Sequence, residues 1–327
     1  MTAYLFRRLL QAIPTLIGVT FISFFIMRLA PGDPIALITF NPNINSEQRA
    51  QLRSQFCLDR NVFEQYVIWV IGDLRGECNV RGLINGDFGT SIYDRRPVAS
   101  MIAERLPATL QLSLGAFVLG TMLGLAVGVG SAINRGGIFD NFARFFSVVF
   151  DALPVFWLGL MLIMYFSVEL GWFPTGGRGP IGRDATLLES LRYLVLPTIV
   201  LSVGWVAVMS RFMRAETLEV IRREYVRTAH AKGLHPRRVY FWHAARNALI
   251  PIVTIIGPAI LALLSGTVIV ERIFSWPGLG RLLVDAVSAR DYPIVMGGVI
   301  IGAFIVILGN LLTDVLLVLV DPRIRLE

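Results

Sequence analysis

Residues 211–251 read RFMRAETLEVIRREYVRTAHAKGLHPRRVYFWHAARNALIP and form a basic, polar segment between two apolar runs. Each of these runs is long enough to cross a bilayer. Nine side chains of the segment are basic and three are acidic. Because loops rich in arginine and lysine remain on the cytoplasmic side, the segment is predicted to be cytoplasmic. Gly233 should end a helix, and Pro236 should begin the next element.

The centre of this segment carries small residues between arginines. They are Thr228, Ala229, Ala231 and Gly233. A short helix with a small face can press closely into a groove on another protein. The alternative is a solvated basic loop without a partner, which would need neither the small residues nor the glycine.

The stretch Glu224-Tyr-Val-Arg-Thr-Ala-His-Ala-Lys-Gly233 resembles the ATPase-coupling loop of binding-protein-dependent ABC importer permeases. Arg237-Arg238, His243-Ala-Ala-Arg-Asn-Ala and Leu249-Ile-Pro251 extend the resemblance toward the dipeptide, oligopeptide and nickel branch. That superfamily has Glu-Ala-Ala six residues before the glycine, where this sequence has Arg-Thr-Ala, a variant without the leading acid. The resemblance implies these coupling residues: Glu224, Arg227, Thr228, Ala229, Ala231, Lys232 and Gly233.

Composition indicates an all-α integral membrane protein. Of the 327 residues, 55% are apolar and 16% are charged. The net charge of +7 does not indicate nucleic-acid binding, because the arginines are spread between apolar runs. The only lysine, Lys232, is followed by Gly233, whereas a phosphate-binding P-loop needs Gly-Lys-Ser/Thr. Any ATP-driven work must therefore come from a partner.

Six transmembrane helices are predicted, with both termini in the cytoplasm. They cover residues 9–29, 108–133, 142–170, 193–213, 249–270 and 294–320. The first could be a cleaved signal peptide, but its apolar run is too long and no small-residue cleavage site follows it. The resulting division is an anchor helix (1–34), an extracytoplasmic segment (35–106), and a five-helix core (107–327) with a cytoplasmic coupling loop (211–248).

The extracytoplasmic segment should form an external helical cap. Helices are predicted over 46–56 and 62–74, and the second has one apolar side that suits the membrane interface or the tops of the other helices. Residues 75–87 look like an insertion relative to the family. Cys57 and Cys78 could form a disulfide that closes a loop of about 20 residues and contributes about 3 kcal/mol. They could equally remain two free thiols, and two cysteines alone make no metal site.

Polar and small residues inside the predicted spans give further candidates. Asp151 lies near the bilayer midplane, where it could face a translocation path, pair with an arginine of another helix, or lie at the headgroups if the boundary is shifted. Pro154 should kink this helix. Gly120, Gly124 and Gly128 share one face and predict close packing against another helix, although glycine is also common in membrane helices.

The stretch Glu271-Arg-Ile-Phe-Ser-Trp-Pro-Gly-Leu-Gly-Arg281 is similar to a family signature between the last two helices. Trp276 suits a membrane interface, and Pro277-Gly278 suits a tight turn. The resemblance implies an external gate loop that includes Glu271, Trp276, Pro277 and Gly278. An ordinary anchored turn would fit the same residues.

The resemblance implies the type I ABC importer permease fold and a transport subunit that is not an enzyme. The expected partners are a second homologous permease, two cytoplasmic ATPases that bind ATP and Mg, and an extracytoplasmic substrate-binding protein in a bacterial or archaeal cytoplasmic membrane. Peptides are the expected substrate and nickel the alternative, although the histidines all lie in the cytoplasmic loop. A stand-alone channel or carrier, and an intramembrane protease using Asp151 and Asp314, are the competing classes.

Overall fold

The computed structural model describes residues 2–29, 45–78, 80–180, 182–183 and 185–320. Within these ranges the chain is helical, and β-structure is limited to an isolated bridge between Thr90 and Pro97. The all-α prediction is therefore confirmed. The stretches APGDP (30–34) and DPRIR (321–325), to which the family resemblance also extends, lie outside the described residues.

Twelve α-helices are described in these ranges. The first three are α1 (Thr2–Leu29), α2 (Ser46–Gln55) and α3 (Val62–Ile71), and a 3-10 turn covers Leu83–Asn85. The next four are α4 (Val98–Ile133), α5 (Ile138–Ala152), α6 (Val155–Leu162, continued by a π-helix over Ile163–Glu169) and α7 (Leu187–Ile221). The last five are α8 (Glu224–Ala231), α9 (Pro236–Arg238, followed by a π-helix over Val239–Ala245), α10 (Arg246–Ile273), α11 (Leu279–Ala289) and α12 (Tyr292–Val320).

Four stretches in the described residues are long and apolar enough to cross a membrane. They are Leu10–Leu29, Val98–Ile133, Leu187–Ile221 and Tyr292–Val315. A fifth candidate is the bent pair of helices α5 and α6. The predicted fifth span lies in α10, and the count of six remains a prediction.

The predicted third span is divided into two helices. The axes of Ile138–Ala152 and Val155–Glu169 differ by 103°. Pro154 has no N–H group and disfavours helical geometry at the preceding residue, and Leu153 accordingly adopts an extended conformation (φ −72°, ψ 129°). The position of the predicted kink is confirmed, but the single helix predicted over 142–170 is wrong.

Helix α7 is longer at both ends than the span predicted over 193–213. It begins after Thr186, whose hydroxyl accepts from the Glu189 N–H at 3.3 Å while the Glu189 carboxylate accepts from the Thr186 N–H at 2.9 Å. This capping box satisfies two backbone donors at the helix start. At its other end α7 continues to Ile221, so residues 211–221 of the predicted loop are helical.

The chain forms two compact units. The first comprises Met1–Pro107 and Gly278–Ile307, and the second comprises Ala108–Pro277 and Leu308–Glu327. In the first unit, the buried Asp291 carboxylate accepts hydrogen bonds from the Ser91 hydroxyl and from the N–H groups of Ile92 (3.2 Å) and Tyr93 (3.3 Å). These bonds fix residues 91–93 to the start of α12.

The second unit has two apolar clusters. One surrounds Phe274 and Trp276, and the other joins α7 and α8 to the start of α10. The latter includes Met209, Met213, Val226 and Ala248, all of which are buried. The coupling segment is therefore packed against this second cluster.

Candidate functional site

Helix α8 is the short helix that the sequence predicts at the coupling segment. It covers Glu224–Ala231, and Gly233 follows it with a φ of +75°, the left-handed region that favours glycine. The Lys232 N–H donates to the Thr228 carbonyl at 3.0 Å, and the Leu234 N–H donates to the Ala229 carbonyl at 3.3 Å. The predicted stop at Gly233 and the start at Pro236 are confirmed.

The predicted coupling residues do not all lie on one face of α8. Six are exposed, namely Glu224, Arg227, Thr228, Ala231, Lys232 and Gly233. Ala229 is instead buried, as is Val226 one turn before it. The sequence analysis missed this inward face, although the apolar residues at positions 226 and 229 have the three-residue spacing of a helix stripe.

The inward face attaches α8 to two longer helices. Val226 and Ala229 belong to the same buried cluster as Met209 and Met213 of α7 and Ala248 of α10. The Asn247 side-chain amide also donates to the Tyr225 hydroxyl at 3.1 Å. A displacement of α8 would therefore be transmitted to α7 and α10 through close packing.

The outward face of α8 carries exposed ion pairs. Arg227 lies 3.0 Å from Glu224, and Arg223 lies 2.8 Å from Glu219 at the end of α7. Exposed pairs of this kind contribute at most about 1 kcal/mol. They leave this side of α8 charged and exposed.

A buried ion pair joins α5 to α7. Arg214 donates to both Asp140 oxygens, through Nε at 2.7 Å and Nη2 at 2.8 Å. The Asp140 carboxylate is 1% exposed and also accepts from the Ser131 hydroxyl and the Gly136 N–H. The sequence analysis did not identify this pair, because 74 residues separate the two members.

Asp151 pairs with an arginine of the same chain. Arg211 Nη2 donates to Asp151 Oδ2 at 2.8 Å, and Arg211 Nη1 donates to the Ser147 carbonyl at 3.3 Å. The Asp151 and Arg211 side chains are 50% and 41% exposed. The sequence left three alternatives open for Asp151, and the structure shows the pairing with an arginine of another helix. The exposed side of the pair could still contact a substrate.

The three predicted packing glycines of α4 lie against α7. A Cβ on Gly120 would lie 2.7 Å from Trp205 Cδ1, and one on Gly124 would lie 2.6 Å from Met209 Cβ. At Gly128 the nearest atoms include the backbone oxygen of Ser210, at 2.7 Å. No side chain fits at these positions without movement, so the glycines permit the close approach of the two helices.

Two of the predicted external gate residues, Glu271 and Trp276, are buried in the second unit. Trp276 is fully buried, and its indole N–H donates to the Ala108 carbonyl at 2.9 Å. Glu271 is also fully buried, within the last turn of α10, and accepts from the Thr109 hydroxyl at 2.6 Å. These bonds hold the stretch within the protein, and the position of Trp276 at a membrane interface stays a prediction.

The tight turn in this stretch also lies elsewhere. It is formed by Phe274 and Ser275, and Ser275 has a φ of +47°. Pro277 and Gly278 precede α11, and Gly278 is its N-cap residue in an extended conformation (φ −96°, ψ 176°). The turn predicted at Pro277-Gly278 is wrong, because the α10 end is closed earlier by the Trp276 N–H bond to the Glu271 carbonyl.

Cys57 and Cys78 form a disulfide in the first unit, with Cα atoms 5.8 Å apart. Asp73 lies beside them, but its carboxylate accepts from the N–H groups of Cys78 and Arg75. These two bonds lower the pKa of Asp73. Because the sulfurs are bonded to each other, the three residues do not form a metal site.

The loop that contains Cys78 is closed by two glycines. Gly72 has a φ of +108°, and a Cβ there would lie 2.4 Å from the Arg81 carbonyl oxygen. Gly82 has a φ of +85°, and a Cβ there would lie 2.2 Å from the Gly72 nitrogen. Only glycine at both positions allows the two backbone segments, at Gly72 and at Arg81–Gly82, to approach each other this closely.

Several long apolar helices, with the short polar helix α8 and its glycine turn packed against α7 and α10, define a multi-pass membrane protein. Comparison with known families gives the class. Residues 99–326 match the family described as "Binding-protein-dependent transport system inner membrane component". Residues 1–113 match "Binding-prot-dependent transport system membrane comp, N-term".

Individual relatives are similar over their full length. The chain is 42% identical to the oligopeptide transport system permease protein AppB of Bacillus subtilis (strain 168), covering 99% of this chain and 100% of AppB. It is 40% identical to the di/tripeptide transport system permease protein DppB of Pseudomonas aeruginosa (strain UCBPP-PA14), covering 99% of each. Identity to the dipeptide transport system permease protein DppB of Escherichia coli (strain K12) is 39%, again covering 99% of each.

The chain belongs to the binding-protein-dependent transport system inner membrane component family, the permeases of ABC importers. A solved structure of the MetNI methionine ABC transporter in an inward-facing conformation has the same fold, with a TM-score of 0.50 and 18% identity. That match covers 66% of this chain and 96% of the other. The chain is therefore a membrane transport subunit and not an enzyme, and it functions with ATPase and binding-protein components.

Proposed function

We propose that this chain is a transmembrane subunit of an ATP-driven importer that moves di- or oligopeptides into the cytoplasm. The observation that carries the proposal is identity of 39% to 42% over 99% of the chain with permeases named for dipeptides, di/tripeptides and oligopeptides. Nickel, the alternative from the sequence, has no comparable support among these relatives.

The assembled importer would contain a second homologous permease, two cytoplasmic ATPases and an extracytoplasmic substrate-binding protein. The ATPases would bind ATP and Mg, and this chain would bind no cofactor. The setting is a bacterial or archaeal cytoplasmic membrane with both termini inside, which is the topology favoured by the basic residues of the short loops.

Transport would proceed by alternating access driven from α8. The exposed residues Glu224, Arg227 and Lys232 would contact an ATPase, and the buried Val226 and Ala229 would pass the movement to α7 and α10. Nucleotide can shift the permease between inward and outward states only if this contact differs in free energy between them. ATP binding would favour the outward state, and hydrolysis with product release would restore the inward state.

The Asp151–Arg211 pair is our candidate for the translocation path. Both side chains are about half exposed, and charged groups facing lipid hydrocarbon are costly. An aqueous path would solvate them. A peptide with a free ammonium and a free carboxylate would present the complementary charges to Asp151 and Arg211. Glu271, Trp276, Pro277 and Gly278 would support the external gate by fixing the end of α10.

Reconstitution of the five-subunit transporter tests this function. The permease is co-expressed with the products of the neighbouring genes, and soluble ATPases that co-purify with it are identified. Proteoliposomes with ATP on the ATPase side should then accumulate a radiolabelled dipeptide when binding protein and dipeptide are added on the other side. Uptake of nickel but not of dipeptide would overturn the assignment of peptides as the substrate. A permease that purifies without ATPases would overturn the ATP-driven mechanism.

A further inference from the structure

Helix α3 packs against the C-terminal half of α1 in the first unit. Aromatic rings of the two helices are in contact, with centroid distances of 5.0 Å for Phe63–Phe25, 5.4 Å for Tyr66–Phe21, 5.5 Å for Tyr66–Phe24 and 6.3 Å for Trp69–Phe24. The Tyr66 hydroxyl also lies 3.1 Å from the Thr20 hydroxyl and donates to the Ile17 carbonyl at 3.4 Å. The contacts of α3 on α1 therefore extend from Ile17 to Phe25.

The depth of this contact can be read from the apolar span of α1, whose described part ends at Leu29. Phe24 and Phe25 lie about 6–8 Å inside the end of the span, and Ile17 lies about 18 Å inside it, at 1.5 Å per residue. Amphipathic helices that lie in a membrane interface bury their apolar face by about 5–10 Å. The outermost contacts of α3 therefore lie at the depth of an interfacial helix, and the Tyr66 hydroxyl reaches deeper along α1.

Next to this contact, α3 carries an exposed apolar stripe. Phe63, Val67 and Ile71 follow one another at a spacing of four residues and are between 43% and 62% exposed. Leu74, which is 88% exposed, follows in the turn after Gly72. Through the Phe63–Phe25 contact this stripe continues onto the exposed membrane face of α1 at Ile22 and Ile26. Because the stripe is continuous with the lipid-facing surface of a membrane span, it should face lipid as well.

Polar groups flank the stripe at both ends. Arg60 precedes α3 and pairs with Glu77, and Arg75 follows α3 as an exposed residue. A cavity of about 310 Å³ beside the stripe is lined by Phe63 and Val67, by these two arginines and by the carboxylates of Glu64, Asp73 and Glu77. Acyl chains would contact the apolar part of this lining, and the charged groups would lie at the level of the lipid headgroups.

We propose that α3 is an interfacial membrane helix whose exposed stripe is covered by lipid acyl chains. The sequence analysis placed this segment in an external cap whose apolar side suits either the membrane interface or the tops of the other helices, and the proposal assigns that side to the membrane. The proposal rests on the proposed function in one respect only. The topology proposed there places α3 in the outer leaflet of the membrane.

Nitroxide spin labels on the full transporter in liposomes test the proposal. Val67→Cys and Leu74→Cys report on the stripe, Ile26→Cys reports on the lipid face of α1, and Ser54→Cys reports on the exposed polar face of α2. Because Cys57 and Cys78 are joined, labelling without reductant reaches the introduced thiol. Collision of each label with oxygen, which partitions into lipid, is compared with collision with a water-soluble nickel chelate.

The stripe labels should resemble the Ile26 label, with high oxygen and low nickel accessibility, and should differ from the Ser54 label. Nickel accessibility equal to that of Ser54 would overturn the proposal. Stripe labels exposed to nickel alone but shielded on adding the binding protein would also overturn it, and would identify a protein-docking surface. Dipeptide uptake by the unlabelled transporter is measured separately, so a failure of the proposed function is distinguishable.

Discussion

Arg211 Nη2 donates to Asp151 Oδ2 at 2.8 Å, joining α7 to the end of α5 two residues before the break at Leu153. The pair therefore lies where the broken span changes direction. If it also faces the translocation path, as proposed, its charges serve both stability and transport, and these two roles can be separated by mutation.

Asp151→Asn should lower both dipeptide uptake and the thermal midpoint of the purified complex, because it leaves Arg211 without its carboxylate. The double variant Asp151→Asn/Arg211→Gln should recover much of the midpoint but not the uptake. If the double variant recovered both the thermal midpoint and dipeptide uptake, the pair would have a structural role and no role in transport. Unchanged uptake by Asp151→Asn at equal protein level would exclude a path role.

Asp140→Asn should destabilise the permease by about 3–5 kcal/mol, the usual cost of removing one member of a buried pair. The reason is that Arg214 would keep its charge beside a neutral amide. SDS-induced unfolding in mixed micelles measures the change in unfolding free energy. As a control, Glu219→Gln breaks the exposed pair with Arg223 and should change it by at most about 1 kcal/mol. Equal effects of the two substitutions would contradict this assignment.

Gly128→Ala should destabilise the packing of α4 on α7 by about 1–3 kcal/mol, because the new Cβ meets the Ser210 backbone oxygen at 2.7 Å. Gly204→Ala is the matched control within α7. In the described structure a Cβ at Gly204 meets no atom within 4 Å, so this change should be neutral or stabilising by up to about 1 kcal/mol. The same unfolding assay compares them, and a neutral Gly128→Ala would show that the two helices can separate.

The double substitution Cys57→Ser/Cys78→Ser should weaken the closed loop by about 3 kcal/mol, since it restores chain entropy to the unfolded segment. Hydrogen exchange of residues 57–78 measures the loss. Reductant should accelerate exchange in the parent but not in the double variant. In the parent, alkylation of both cysteines without reductant would show that the bond does not form.

Gly233→Val should uncouple ATP hydrolysis from dipeptide uptake while leaving membrane insertion intact. A β-branched residue strains at the φ of +75° that closes α8, and Asn tolerates this region better. Gly233→Asn is therefore the control and should retain more uptake per ATP hydrolysed. If Gly233→Val transports normally, α8 is not the element that transmits the ATPase movement.

Local signals predicted much of this architecture. The arginine-rich segment, the stop at Gly233 and the start at Pro236 depend on residues close together in sequence, so their chemistry could be recognised without the fold. The same is true of Pro154, whose position in the helix break is confirmed. The angle of the bend could not be predicted in this way. A proline removes only one backbone hydrogen bond, and the packing around the break sets the angle.

The remaining features depend on contacts between distant residues. The Asp140–Arg214 pair and the Trp276 bond to Ala108 bring together positions 74 and 168 residues apart. Tryptophan suits a membrane interface by its own chemistry, and only the fold supplies the buried acceptor that satisfies its N–H. Ala229 was assigned to the docking face because it is small, whereas small residues also suit the contact between α8 and the helices beneath it.

The crossing of Gly72 and Gly82 has a consequence for how this protein can vary. Because the two glycines bring the ends of the loop together, the number of residues between them does not alter the position of α3. Nothing in the described structure lies within 4 Å of a Cβ at Gly76, at the exposed tip. An epitope tag inserted at Gly76 should therefore be accommodated without displacing α3.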